Sequence, residues 1–354
     1  MKRLLALGFL LLALGLTAMA ASEVQVREQM LLYPSIDQRG DSLTLSGMVT
    51  IPTDRPAKGI ILIPHYTIQA DKEAPSNQLI YDAKFYKEDF VLLMPDYIGY
   101  GITRDSVHPY LAGELTARNC IDMVLAAQTM LDTMDLHIPL DSIYIMGYSQ
   151  GGFSALWTLR VIEESYADRI HVKGCFVGAG PYDVAVTYDE TLTKKKIMMP
   201  ALVPLMIVGT DVAYDLHLNY AELMTPAAER LYQRYIVNKD YSILQIYFKT
   251  PNHSLRHWLT TAGMDKTHPQ TMRLYEGLQR SSIVGDSICP SWTPKAPLYV
   301  FHSSQDEVVT IRCAEHLQRC FSNLPNVTYD FGKYGHHIPA SRIFHKRVRE
   351  MLNE

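Results

Sequence analysis

The sequence is short of cysteine and tryptophan, has no surplus of basic charge, and lacks an apolar run long enough to cross a membrane. Its 354 residues hold five cysteines, Cys120, Cys175, Cys289, Cys313 and Cys320. That is too few, and too scattered, for a disulfide framework. Cys313 and Cys320 fall seven apart in an expected helix, which separates their Cα atoms by about 10 Å, too far for a bridge. An oxidising compartment allows one disulfide involving Cys289, and the thiols otherwise read as small buried apolar groups. The formal net charge of −4 excludes the basic footprint of a nucleic-acid binder. No glycine-rich phosphate loop or dinucleotide fingerprint occurs. His253 and His257 are four apart but lack the H-E-x-x-H glutamate, so they read as surface histidines. No metal and no cofactor are expected. The apolar run Leu4 to Leu16 is thirteen residues long, against the roughly 20 of a membrane span. With Met1-Lys2-Arg3 before it and Thr17-Ala18-Met19-Ala20 after it, residues 1–20 read as a signal peptide. No cysteine follows to take a lipid anchor. The expected product is exported, to the periplasm or the medium, with no stable membrane span.

What is present is concentrated in ten residues, Ile143-Tyr-Ile-Met-Gly-Tyr-Ser-Gln-Gly-Gly152. An apolar strand runs into Gly147-Tyr148-Ser149-Gln150-Gly151, and a helix-compatible stretch, Phe153-Ser154-Ala155-Leu156-Trp157, follows at once. A G-x-S-x-G sequence between a strand and a helix holds its serine on a strained turn with the hydroxyl exposed. The neighbours two before and two after must be small, and both are glycine. Gly152 lets the helix pack close to the strand.

Strands and helices alternate along most of the chain. Val24–Leu32 and Leu43–Ile51 alternate in polarity and read as an antiparallel pair. Gly59–Ile63, Phe90–Met94, Ser142–Met146, Val172–Val177, Pro297–Phe301 and Val327–Phe331 read as strands, several of them continuous apolar runs covered on both faces. Ala112–Met134, the stretch after the elbow to about Ser165, Arg312–Phe321 and Ala340–Leu352 have helical character. The pattern predicts a mostly parallel sheet with helices on both faces. Its expected parts are a first core segment over 21–183 and a second over 293–354. From 184 to 292 the rhythm changes to helices alone, expected at Pro200–Ile207, Asp211–Leu223, Pro226–Val237 and around His257 and Leu274. This insertion reads as a cap. Its apolar stretch Ile197–Val208, with two prolines, suits a buried cap helix, or alternatively a lipid-facing lid.

A serine nucleophile needs a histidine to take its proton and an acid to orient that histidine. The order Ser, acid, His is met here. Asp306 follows the strand ending at Phe301, with Glu307 as its neighbour. After the last strand, Gly335-His336-His337-Ile338-Pro339 offers two bases. The His-x-Pro spacing favours His337, and the Gly-His pairing keeps His336 as the alternative. Asp183 is a weaker alternative acid, and Asp96 reads as a turn-ordering residue. The oxyanion donors are expected to be the N–H of Gln150 and one near Tyr66, in Pro64-His65-Tyr66-Thr67. His65 and Tyr148 are assigned to substrate binding.

These features together resemble the α/β-hydrolases, and within them the secretory lipase branch with a helical cap. The resemblance rests on His65-Tyr66-Thr67, Ala74-Pro75-Ser76, Pro95-Asp96-Tyr97-Ile98-Gly99-Tyr100-Gly101, His108-Pro109-Tyr110-Leu111 and Gly147–Gly152. It implies carboxylic ester hydrolysis by Ser149, a histidine and Asp306, on a small-molecule ester or lipid. Two departures stand out: the loop has Tyr66 where glycine is common, and no part of the cap matches. A serine peptidase for short peptides would use the same triad, with an acidic anchor for a free amine. A silent binding protein on the same fold is the third reading.

Overall fold

The computed structural model describes residues 25–136, 138–140, 143–250, 252–286 and 288–353. The expected signal peptide, and the residues Val24 and Ser142 that open two expected strands, lie outside the described residues. One eight-stranded sheet organises the chain: β1 (Val26–Ile36), β2 (Ser42–Pro52), β3 (Ile60–Leu62), β4 (Val91–Pro95), β5 (Ile143–Tyr148), β6 (Val172–Gly178), β7 (Leu298–Ser303) and β8 (Val327–Gly332). The strand order is β1-β2-β4-β3-β5-β6-β7-β8. The β1–β2 and β2–β4 pairs are antiparallel, and all the others are parallel.

Alternation along the strands separates two cores. Ile60, Leu62, Val91, Leu93, Ile143, Ile145, Cys175 and Val177 point to one face. There they meet α1 (Gly113–Thr133), α2 (Gln150–Ser165) and α11 (Arg312–Phe321). Ile61, Ile63, Leu92, Met94, Met146, Phe176 and Phe301 point to the other, under Ala340, Phe344 and Val348 of α12 (His337–Leu352). Both faces are dry, which is why these strands show unbroken apolar runs.

Among the described residues, eight α-helices lie between β6 and β7: α3 (Val184–Thr193), α4 (Leu202–Tyr214), α5 (Tyr220–Leu223), α6 (Pro226–Leu231), α7 (Ile243–Lys249), α8 (Leu255–Trp258), α9 (Thr261–Met264) and α10 (Pro269–Ser281), with a π-helical turn, Tyr232–Ile236, after α6. The helix expected over Asp211–Leu223 is broken. Asp215 and His217 take left-handed backbone, with φ of 54° and 55°. Asp211 stabilises the break, accepting from Leu218 N at 3.0 Å and from the Tyr220 hydroxyl at 2.5 Å. Lys239, buried in this segment, donates through Nζ to three carbonyls of the sheet-bearing part: Gly99, Arg104 (2.6 Å) and Ser106 (2.5 Å). Cys289 and Cys320 form a disulfide, tying the chain beyond α10 to the end of α11. Cys120, Cys175 and Cys313 are free and buried. Among the described residues, no helix is long and apolar enough to cross a membrane.

Candidate active site

Ser149 occupies the junction between β5 and α2, where φ of 59° and ψ of −125° make it a strained non-glycine residue. The surroundings hold it there. Its N–H donates to Gly178 O at 2.8 Å, and its carbonyl accepts from Phe153 N at 3.1 Å. A Cβ on Gly147 would lie 2.3 Å from the backbone of Gly151, and one on Gly151 would lie 2.2 Å from Pro64 O. No side chain fits at either place, so both glycines of the pattern are needed to bring β3, β5 and α2 together.

Three side chains meet in a hydrogen-bonded line. Ser149 Oγ is 2.9 Å from His337 Nε2, and His337 Nδ1 is 2.6 Å from Asp306 Oδ2. Because a carboxylate can only accept, Nδ1 carries the proton and Nε2 is free to accept from the serine. Asp306 is fully buried, and its second oxygen accepts from the N–H groups of Val308 and Val309, both at 2.9 Å. Burial pushes this carboxyl upward. His337, His302 and the Val309 N–H outweigh that and hold it below its ordinary range. Val308 and Val309 therefore serve the carboxylate with their amides, and α11 starts at Arg312, as expected.

The two candidate bases are separated by their places at the start of α12. His337 is the first helical residue and is buried, whereas His336 is the N-cap, with 73% of its side chain exposed. His336 Nδ1 turns to Glu307 Oε2 at 3.0 Å, and the same oxygen accepts from His337 N at 3.1 Å. Glu307 thus satisfies an open amide at the mouth of α12. Pro339 falls in that first turn, where its missing N–H costs nothing, and α12 begins three residues before its expected start at Ala340.

Gln150 is the first residue of α2, so its N–H has no intrahelical acceptor. Its side-chain amide donates to His108 Nε2 at 2.9 Å, while His108 Nδ1 donates to Ile98 O at 2.8 Å. Burial holds His108 neutral, its pKa lowered to about 3. Tyr66 lines the cavity beside Ser149, packed against Ile68, Ala74 and Tyr100. Tyr148 also lines it and donates its hydroxyl to His337 O at 2.7 Å.

His65 departs from its assignment to substrate binding. It is fully buried behind the loop, with Nδ1 2.6 Å from Tyr66 O and Nε2 3.1 Å from Asp96 O. Its ring stacks on Tyr97 at 4.0 Å, so it shapes the loop and does not line the cavity. Asp96 orders the neighbouring turns, accepting from Ser46 Oγ (2.5 Å) and Ser76 N (2.8 Å). Asp183 caps α3 through Val186 N and pairs with His316 at 2.8 Å, away from this line. His253 meets Tyr247, and no His, Cys, Asp or Glu cluster among the described residues could hold a metal.

Over Ser149 opens a cavity of about 360 Å³. One wall is apolar: Met199, Leu202 and Met206 from around α4, Ile243 and Leu244 of α7, and Val308. Glu73, Asp82 and Arg342 line the same space without any signal in the chain that marks them. They come from short turns and a helix face with no periodic or motif signature. Such an arrangement can deprotonate a hydroxyl in place and admit an apolar chain beside it.

The profile of the secretory lipase family matches residues 78–342. The secreted triacylglycerol lipase LIP5 of Malassezia furfur is 25% identical over 267 residues, 73% of this chain, which spans about 60% of that relative's length. The rice cell wall degrading esterase LipA of Xanthomonas oryzae superposes with a TM-score of 0.76 at 22% identity, covering 95% of this chain and 91% of that one. Candida antarctica lipase A in its closed state gives 0.66 at 18% identity, covering 90% and 77%. The fold is that of the α/β-hydrolases, and the chain belongs to the secretory lipase family.

Proposed function

We propose that the protein is an exported serine hydrolase that cleaves carboxylic esters through an acyl-enzyme on Ser149. The observation that carries this reading is the unbroken line from Ser149 Oγ through His337 to buried Asp306, at 2.9 and 2.6 Å. His337 takes the serine proton as Oγ adds to the ester carbonyl, then gives it to the departing alkoxide, so the alcohol leaves and the acyl group stays on Oγ. Water, deprotonated by His337, then adds to the acyl carbonyl, and the proton returns to Ser149 as the acid leaves. Asp306 keeps the imidazole in the needed tautomer. The N–H groups of Gln150 and Tyr66 are the proposed oxyanion donors, the first helped by the start of α2.

The helical segment between β6 and β7 acts in this reading as a cap, and its apolar wall takes the acyl chain. Export is supported by the relatives named as secreted and by the leader-like residues 1–20. The test is an activity series on p-nitrophenyl esters from acetyl to palmitoyl, run with Ser149→Ala beside the parent. The parent should turn over at least the short and medium chains, and the variant should lose on the order of 10⁶ in kcat. Retained turnover by the variant would refute the assignment of Ser149.

A further inference from the structure

Asp306 lies in a stretch without helix or strand, residues 304–311 between β7 and α11, so side-chain and turn bonds must place it. Its N–H donates to Ser303 O at 3.1 Å, and its Oδ1 accepts from Val308 N and Val309 N. The carbonyl of Val309 returns to the sheet, 3.1 Å from His302 Nε2. His302 is the last residue but one of β7, and its side chain is fully buried. The bonds close a ring: His302 to Val309, Val309 to the Asp306 carboxylate, and Asp306 back to β7 at Ser303.

A carbonyl can only accept, so Nε2 of His302 carries the ring proton and Nδ1 keeps its lone pair. Burial lowers the pKa of this ring and keeps it neutral. Nδ1 is itself buried and has no hydrogen-bond partner. A leucine would avoid that cost, so packing alone does not account for a histidine here. What leucine lacks is the Nε2 edge. Besides holding Val309, that edge stands 3.7 Å from Asp306 Oδ2, the oxygen that accepts from His337. The distance is too long for a hydrogen bond, but an N–H dipole so near still favours the charged carboxylate.

We infer that His302 is a positioning residue: by holding the Val309 carbonyl it aims the Val308 and Val309 amides at Asp306, and so fixes the carboxylate that orients His337. The inference rests on the ester-hydrolase reading of Ser149 and deepens it. His302 does not line the cavity over Ser149 and touches no reacting atom. One other side chain reaches this stretch: Lys194, the C-cap of α3, donates through Nζ to Glu307 O at 2.8 Å. That bond is anchored between β6 and β7, so the tie from Val309 to the sheet is the one made by His302.

The experiment measures kcat and KM on p-nitrophenyl octanoate for the parent, His302→Leu, His302→Asn and His302→Gln, and repeats His302→Leu in the Asp306→Asn background. Glutamine can put an amide N–H where Nε2 stood; asparagine is too short to reach it, and leucine has no donor. His302→Leu should lose about thirtyfold in kcat with KM within about twofold, inside the roughly 10² that an ångström of misplacement can cost. His302→Asn should lose a similar factor, and it reads the role even if the leucine variant folds poorly. His302→Gln should stay within about threefold of the parent. Without the Asp306 carboxylate, His302→Leu should cost less than about threefold more, whereas general loosening of the site would add in full. A loss under about threefold in both donor-free variants, a glutamine variant as poor as the leucine one, or the full loss repeated without the carboxylate would each overturn the role. In all three the parent still hydrolyses the ester, which keeps them separate from failure of the ester-hydrolase reading. A parent inactive on the ester would remove both.

Discussion

Two histidine–carboxylate pairs hang from the same helix, α12, and they are wired differently. His337 pairs with Asp306 at 2.6 Å and His345 pairs with Asp82 at 3.0 Å, and all four side chains are nearly or fully buried. At His337 the far nitrogen meets Ser149 Oγ. At His345 it meets the Tyr86 hydroxyl at 3.1 Å, and Phe85 stacks on the ring at 4.6 Å. The carboxylates differ in the opposite sense: Asp306 has both oxygens occupied, whereas Asp82 keeps one bare. The pairing itself therefore does not make a site for acyl transfer. One histidine presents its second nitrogen to Ser149 from a fully satisfied acid; the other belongs to the packing, and its acid keeps a buried oxygen without a partner.

The largest effect that would break this contrast is at Asp306. Asp306→Asn should lower kcat on a p-nitrophenyl ester by about 10⁴, because the amide can hold the imidazole in the wrong tautomer. A loss under tenfold would make the Asp306 pair no more catalytic than its counterpart. At the second pair the damage should fall on stability. His345→Ala leaves Asp82 buried without its partner and should cost about 3–5 kcal/mol in urea unfolding. A variant as stable as the parent would show that the pair is not a structural element.

The smallest effect is on the acid limb of stability. Asp306 is held below the ordinary carboxylate range in the folded protein, so the unfolded chain binds its proton first as the pH falls. Its contribution is therefore present above the ordinary value and lost as the pH drops through the folded value. Urea midpoints measured from pH 6 to pH 3 should fall less steeply in Asp306→Asn than in the parent. Parallel slopes would contradict the shift.

How much of this was readable beforehand depended on whether a signal was local. Strands buried on both faces leave runs such as Ile60-Ile61-Leu62 and Val91–Met94, and α1 and α2 leave periodic stripes, so the sheet could be drawn from the chain. The turn at Ser149 was equally plain, since a Cβ on Gly151 or Gly147 would fall 2.2 or 2.3 Å from neighbouring backbone atoms. The order of Asp306 and the paired histidines was visible too. Between His336 and His337 the His-x-Pro spacing leaned to His337 but left the other open, because the separation turns on where α12 starts, and Glu307, thirty residues earlier, helps set that start. The segment from α3 to α10 was hardest. Its turns are held by distant side-chain bonds, such as those of Asp211, which override the helical spacing around Asp215. Cys289 and Cys320 came from regions with no shared periodicity, so their pairing had no signal in the chain.

Lys239 joins two distant stretches of the chain. A single ammonium spread over the carbonyls of Gly99, Arg104 and Ser106 works as a rivet, fastening the segment between β6 and β7 to the loop that follows β4. Leu244 of α7 and Ile338 of α12 both line the cavity and yet stand 61% and 62% exposed. Both are apolar and open to solvent, so the cavity over Ser149 has an oily rim.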